Sequence, residues 1–189
     1  LDGHGFMVLT GPNKPKSRGH VRMRSVDPFE QPDILFNYLD REEDREGFRR
    51  CLRLTREIIA QPAFDRFRGE EMAPGKDVQK DDEIDAWVRE TMESTYHPCG
   101  SCRMGEDAMA VVDSQLKVRG LEGLRVIDSS VFPSEPNANL NAPTIMLAER
   151  AADMVRGRPL LPPSNAAVGV APGVGVTQRS GKPVRQVRA

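Results

Sequence analysis

The sequence lacks the marks of several classes of protein. It contains no run of about 18 apolar residues, which excludes a membrane-spanning helix of ordinary length within it. It has only three cysteines, an odd and small number that favours free thiols in a reducing compartment. Because the formal net charge is -1, nothing points to nucleic acid as a partner. We expect a globular protein of the cytoplasm, or one at the periphery of the inner membrane.

Both ends of the chain are also short of familiar features. The chain begins at Leu1 without the charged and apolar regions of a signal peptide, and we expect a piece of a longer polypeptide. Residues 162–189 contain no acidic residue and no aromatic residue, and they are rich in Gly, Val, Pro and Ala. Such a composition predicts a disordered basic tail.

Residues 1–110 contain the patterns of short strands and amphipathic helices. An apolar run at 5–10 and alternation at 20–25 predict an antiparallel pair of strands, with another short strand around 34–37. Helical spacing of apolar residues predicts one helix from its N-cap Asp40 to about Ala60 and a second helix capped by Asp82. The predicted fold class is α+β, an antiparallel sheet flanked by helices.

Residues 111–161 form a second predicted segment. Short strands are expected at 111–113 and 116–119, followed by a buried strand at 124–127. An apolar helix is expected to start with Pro143, where the missing N–H costs nothing, and to stop at Gly157. The chain therefore divides into residues 1–110, residues 111–161 and the tail, 162–189.

The residues best suited to chemistry lie at 96–105, Tyr-His-Pro-Cys-Gly-Ser-Cys-Arg-Met-Gly. Pro98 favours an extended backbone at His97, which would project the imidazole from the end of a strand. An imidazole is a natural acceptor for an alcohol proton, although a structural histidine bonded to a carbonyl is the alternative. Cys99 and Cys102 suit a redox pair, two ligands of a zinc site with His97, or small buried residues near a turn.

A second candidate segment is the amide-rich loop 137–144, which runs into the predicted helix. The free N–H groups of a helix start and the positive end of its dipole suit an anionic group or a reduced cofactor. An Asn-capped helix that binds nothing is the alternative. A hydrolase triad of Ser129, His97 and Asp128 is a further alternative, but the Gly-x-Ser-x-Gly elbow is missing. We expect the two segments to meet across one active site.

Taken in order, these motifs resemble the C-terminal part of the glucose–methanol–choline (GMC) oxidoreductases, which are flavin-dependent alcohol oxidisers. The resemblance covers roughly residues 4–161 and is greatest to the choline dehydrogenases of that family. Ser101 stands where the family motif commonly has threonine. The matching segments are 16–19 with Val21, 37–39, 96–105, 112–113, 123–133, 141–145 and 151–153.

The resemblance implies a role for each site residue. His97 would accept the substrate hydroxyl proton while a hydride passes to the flavin, and Asn141 would hydrogen-bond the same oxygen. Tyr96 would help to enclose a trimethylammonium group through cation–π attraction. No metal is implied. The residues that would contact FAD are Asp128, Ser129, Asn141, Pro143, Thr144 and Ile145.

The resemblance also implies what surrounds the chain. Residues 1–110 would belong to the substrate-binding domain, and residues 111–161 would supply a strand and helix that complete the FAD-binding domain. The remaining FAD-binding domain, with its Gly-x-Gly-x-x-Gly, would lie in an N-terminal part of the same chain that is missing here. The isolated fragment would be inactive. It would expose an apolar face of the last helix, made of Leu147, Ala148, Ala151 and Met154.

The implied reaction is oxidation of choline to betaine aldehyde in glycine betaine synthesis, with a quinone-type electron acceptor if the protein is a true dehydrogenase. One alternative is a GMC oxidoreductase for another primary alcohol. The other is a non-catalytic metal-binding module built on His97, Cys99 and Cys102.

Overall fold

The computed structural model describes residues 3–137, 139–167 and 169. The chain divides into two units, Leu1–Arg158 and Pro159–Ala189. All helices and strands of the described residues belong to the first unit, and the described residues of the second unit contain neither. Most of the predicted tail lies outside the described residues.

The sheet consists of two short antiparallel strands. Strand β1 (His20–Arg22) pairs with β2 (Asp33–Leu35). The predicted pairing of residues 5–10 with residues 20–25 is wrong, because residues 5–10 form no strand. An extended segment becomes a strand only where a neighbour supplies hydrogen bonds, and β1 makes its ladder with β2 instead.

Two helices pack against each other beside this sheet. Helix α1 (Glu42–Ile59) and helix α2 (Asp81–Thr91) share one core cluster, and the Arg49 guanidinium pairs with the Asp85 carboxylate across them, Nε to Oδ1 at 2.7 Å. The buried residues of this first core are Leu39, Leu52, Ile84 and Val88.

Both helices are confirmed, but both predicted caps are wrong. The N-cap of α1 is Arg41, one residue after Asp40, and the N-cap of α2 is Lys80, two residues before Asp82. At the start of α2 the Glu83 carboxylate accepts the backbone N–H of Lys80 at 3.0 Å. A carboxylate in the first turn satisfies free N–H groups as an N-cap side chain would, so the cap position is not specified by residue type alone.

A second hydrophobic core lies in the later part of the first unit. Its buried residues are Val112, Leu116, Val131, Leu147 and Ala151. The predicted strands at 111–119 and 124–127 form only isolated bridges, such as Val112 opposite Val118 and Lys117 opposite Arg125. The Asp113 carboxylate accepts the N–H of Gln115 and Lys117, and this local bonding turns the chain where a ladder would continue.

Helix α3 (Asn141–Val155) packs one face into the second core. Pro143 is its third residue and not its first, and Gly157, with φ +65°, follows its C-terminal end. The predicted exposure of the face made of Leu147, Ala148, Ala151 and Met154 is wrong for Leu147, which is 9% exposed, and for Ala151, which is fully buried. Met154 is half-buried, and only Ala148 is exposed as predicted. The fragment itself covers that face with residues 104–132.

With three α-helices and a small antiparallel sheet among the described residues, the structure confirms the α+β class.

Candidate active site

The two candidate segments lie side by side. The backbone N–H of Cys102 donates to the carbonyl of Ser130 at 3.0 Å, and the N–H of Met104 donates to the carbonyl of Val131 at 2.8 Å. Gly100 permits this approach: its φ is +90°, and a Cβ there would lie 3.3 Å from the carbonyl oxygen of Phe132. Backbone pairing therefore joins residues 97–104 to the turn that precedes the amide-rich loop.

A cleft of about 320 Å³ opens where the segments meet. It brings together five residues that the sequence singled out, together with Pro98 and the buried Leu140. The lining residues are Tyr96, His97, Pro98, Ser129, Leu140, Asn141 and Thr144. An imidazole, an amide, two hydroxyls and a phenol ring thus face one volume. Such a set can hold a small polar molecule and move one proton.

The two neighbouring aromatic rings of the cleft differ in exposure. His97 is half-buried, whereas Tyr96 is 82% exposed and has φ +59°, a left-handed conformation that is rare for a bulky residue. The N–H of Tyr96 donates to the Ser94 hydroxyl at 3.0 Å, which helps to hold this turn. The backbone therefore presents the phenol ring at the mouth of the cleft and the imidazole further inside.

The start of α3 forms the opposite side of the cleft. Asn141 is the first residue of the helix and is exposed, and Thr144 is half-buried and donates its N–H to the carbonyl of Leu140 at 2.9 Å. The first N–H groups of a helix have no partner within it, and they carry the positive end of its dipole. This side of the cleft favours an oxygen-rich or anionic group.

Three of the predicted site residues do not line the cleft. Asp128 is exposed, and its carboxylate accepts the N–H of Ser130 at 2.8 Å, which caps the short 3₁₀ turn Ser129–Val131. Pro143 is half-buried within the first turn of α3, and Ile145 is 56% exposed. Their assignment as cofactor contacts stays a prediction.

Sequence reasoning missed two charged residues, Glu135 and Arg18, that interact electrostatically with the segment containing His97 and Cys99. Burial raises the pKa of the Glu135 carboxyl, and the charges of His97 and Arg18 partly offset that rise. The signal available in the sequence was that Glu135 is the only acidic residue between Asp128 and Glu149. Arg18 belongs to the distant segment 15–19, and nothing local indicates its position.

The alternative chemistries find no geometric support. Among residues 3–137, 139–167 and 169, no three His, Cys, Asp or Glu side chains are grouped to hold a metal ion. Burial raises the pKa of the Cys99 thiol, and the Glu135 charge raises it further, which disfavours the reactive thiolate. A triad is not formed either, because the Ser129 hydroxyl lies 3.5 Å from the carbonyl of Pro98 and Asp128 caps a turn.

Comparison with known proteins identifies the family. The sequence model of the GMC oxidoreductases matches residues 15–148, which is more than half of the chain. The chain belongs to the GMC oxidoreductase family. It is 58% identical over 187 residues to the oxygen-dependent choline dehydrogenase of Vibrio vulnificus, covering 98% of this chain and 33% of that protein. It is 56% identical to the oxygen-dependent choline dehydrogenase of Chromohalobacter salexigens, covering 95% of this chain and 32% of that protein.

Solved structures agree with the family assignment. Pyridoxine 4-oxidase from Mesorbium loti superposes with a TM-score of 0.73 at 33% identity, covering 77% of this chain and 28% of that chain. A fungal aryl-alcohol oxidase superposes with a TM-score of 0.68 at 35% identity, covering 76% of this chain and 24% of that chain. This GMC chain spans about a third of the length of the curated relatives it matches.

The described residues of this GMC chain include no helix that is both long enough and apolar enough to span a membrane.

Proposed function

We propose that this chain is the substrate-binding and catalytic part of an FAD-dependent dehydrogenase that oxidises choline to betaine aldehyde for glycine betaine synthesis. One observation carries the proposal: His97, Asn141 and Tyr96 line one cleft. They do so in a chain that is 58% identical to a protein named choline dehydrogenase. An imidazole, an amide and an aromatic ring suit a molecule with a hydroxyl at one end and a quaternary ammonium at the other.

The donor set of the cleft fits FAD. The free N–H groups at the start of α3 and the hydroxyls of Ser129 and Thr144 offer hydrogen bonds to a group rich in oxygen and negative charge. We assign FAD contacts to Asn141, Pro143, Thr144 and Ile145 in this helix and to Asp128 and Ser129 in the turn. When bound, FAD supplies the acceptor for the hydride that leaves the carbinol carbon.

His97 and Asn141 act on the same substrate oxygen in different ways. His97 accepts the hydroxyl proton as the alcohol becomes an aldehyde, and its half-buried place in the cleft shields the exchange from bulk water. The Asn141 amide donates a hydrogen bond to the same oxygen and orients it without competing for the proton. The ring of Tyr96, at the mouth, faces the trimethylammonium group.

The two cores support the proposed domain division. The buried residues of the first core all precede position 110 and those of the second all follow it, and among the described residues Met104 is the one earlier residue that packs against the second core. We propose residues 1–110 as part of the substrate-binding domain, residues 111–161 as the strand and helix segment of the FAD-binding domain, and 162–189 as a basic tail. The rest of the FAD-binding domain would be supplied by an N-terminal part of the same polypeptide. Both of these relatives are named as oxygen-dependent enzymes, which favours oxygen over a quinone as the electron acceptor.

The test is anaerobic mixing of the full-length parent protein with choline while the flavin absorbance is recorded. We expect choline to bleach the flavin. The matched control is the uncharged carbon isostere of choline, in which a tert-butyl group replaces trimethylammonium, and it should bleach the flavin less readily. Equal or faster bleaching by the isostere would support a GMC oxidoreductase for another primary alcohol. A folded parent without bound flavin would contradict the proposal.

A further inference from the structure

Leu140 differs from the other residues of the cleft in being buried as well as apolar. It is 5% exposed, whereas the remaining lining residues are half-buried or exposed. The described residues of neither hydrophobic core include it. Most of the other lining residues carry polar groups. Leu140 therefore gives the cleft an apolar wall without belonging to the packing of either core.

Leu140 also occupies a position where the helix itself favours a different residue. It is the N-cap of α3, and its side chain bonds no N–H group of the helix. Asn, Asp and Ser are preferred at an N-cap because their side chains accept such a bond, which leucine cannot do. A residue that breaks a local rule in this way is typical of a functional site. The side chain at this position also does not compete with a ligand for the first N–H groups of α3.

The backbone determines where the Leu140 side chain lies relative to the substrate hydroxyl. The carbonyl of Leu140 accepts the N–H of Thr144 at 2.9 Å, so the first turn of the helix holds the residue in place. Leu140 and Asn141 are consecutive, with Cα atoms about 3.8 Å apart, and both line the cleft. Since Asn141 is the proposed partner of the hydroxyl oxygen, the wall beside it faces the carbon nearest that oxygen.

We propose that Leu140 is a specificity-determining residue, whose side chain limits the bulk that a substrate can carry on its carbinol carbon. This inference rests on the proposed function. A primary alcohol has two hydrogens on that carbon and fits beside the wall, whereas an added methyl group collides with it. Overpacking by one methyl group is costly where the surroundings cannot move. The cleft therefore selects primary alcohols over secondary alcohols of the same charge.

The test compares two ligands that cannot be oxidised, in the full-length parent protein. One is choline with fluorine in place of its hydroxyl, and the other carries an added methyl group on the fluorinated carbon. Calorimetry gives both dissociation constants, and the parent should bind the methylated ligand more weakly. Leu140→Ala should lower the ratio of the methylated to the unmethylated constant by about 10-fold, the lower end of what one methylene contributes to discrimination in an apolar pocket. The preference in flavin reduction for choline over its carbinol-methylated homologue should fall likewise.

Three further variants serve as controls. Leu147→Ala is the matched control, because Leu147 is buried in the same helix, packs in the second core and does not line the cleft. It should lower the melting temperature and leave the ratio unchanged. Leu140→Met keeps the volume and should keep the ratio. Leu140→Val removes one methylene and should lower the ratio in part, which decides the question if the alanine variant does not fold.

Three results would overturn the inference: equal binding of both ligands by the parent, an unchanged ratio in Leu140→Ala and Leu140→Val, or an equal fall in Leu147→Ala. If another primary alcohol reduces the flavin and choline does not, the proposed function is overturned instead. A preference for that alcohol over its carbinol-methylated homologue that falls in Leu140→Ala would then still support the wall.

Discussion

The backbone N–H of Cys102 donates to the carbonyl oxygen of Ser130 at 3.0 Å, and this bond joins the segment 96–105 to the turn Ser129–Val131. It connects residues 28 positions apart and holds the segment that carries His97 beside the turn that precedes α3. The shape of the cleft therefore depends on backbone hydrogen bonds between these segments and not on the side chains that line it.

Replacing His97 by Gln should slow flavin reduction by choline by about 10²–10⁴-fold, the range that one general base contributes. Choline binding should persist, since the amide still fills the cleft. Stopped-flow traces at several choline concentrations give the limiting rate and the dissociation constant separately. The control is His4→Gln, because His4 is exposed and does not line the cleft. Weaker binding with an unchanged limiting rate would rule out the role of His97 as base.

Replacing Tyr96 by Leu should weaken choline binding by about 3- to 30-fold, because an exposed or partly desolvated cation–π contact contributes that much. Tyr96→Phe keeps the ring and should bind choline nearly as well. Binding is measured by competition against flavin reduction in the full-length parent. The uncharged isostere should bind Tyr96→Leu and the parent alike. Equal losses for choline and isostere would assign Tyr96 a role in packing only.

Replacing Gly100 by Ala should lower the stability of the parent by about 1–2 kcal/mol, because a residue with a Cβ is strained in this left-handed conformation. The added Cβ would also crowd the carbonyl oxygen of Phe132, which adds to that cost. Gly120→Ala is the matched control, since its φ is +77° and no atom lies within 4 Å of the added Cβ. Melting temperature and flavin-reduction rate are compared. Only Gly100→Ala should also slow the reaction. If both variants keep the parent's rate, the close approach does not position His97.

Replacing Asp44 by Asn should lower the melting temperature of the parent, with a cost of about 1–3 kcal/mol. Asp44 is buried in α1 and accepts the N–H groups of Lys16 and Ser17, each at 2.7 Å, and the Ser17 hydroxyl. An amide accepts at one oxygen only. The control is Asp40→Asn, because Asp40 is exposed. Equal effects of the two substitutions would contradict a special role for Asp44.

The same carboxylate predicts how stability depends on pH. Burial opposes ionisation of Asp44, but the hydrogen bonds from Ser17 and Lys16 outweigh it and hold its pKa below the ordinary value of 3.8. A lowered folded-state pKa contributes stability above the unfolded-state value, and that contribution is lost as the pH falls through the folded-state value. The melting temperature of Asp44→Asn should therefore approach that of the parent in strong acid. A constant difference at every pH would show that the charge contributes nothing.

Local patterns predicted the helices and the places of β1 and β2, but not which segments pair. Helix α1 was predictable because its apolar positions recur with helical spacing and acidic residues occupy its first turn. Residues 5–10 looked like a strand because they are apolar, yet a strand needs a bonded neighbour, and the segment finds none in the described residues. The apolar segments around Val112 were also expected to be strands, but they form only isolated bridges because no described neighbour continues the ladder.

By itself the sequence determined the residues with chemical capacity, the family and the helices, because each depends on residue type and local spacing. Only the tertiary structure decided that Leu147 and Ala151 are buried, since their partners are Val112 and Val131. It also decided that His97, Ser129 and Asn141 line one cleft. Such relationships depend on backbone pairing between distant segments, and the free energy of that pairing is a property of the folded chain and not of either segment.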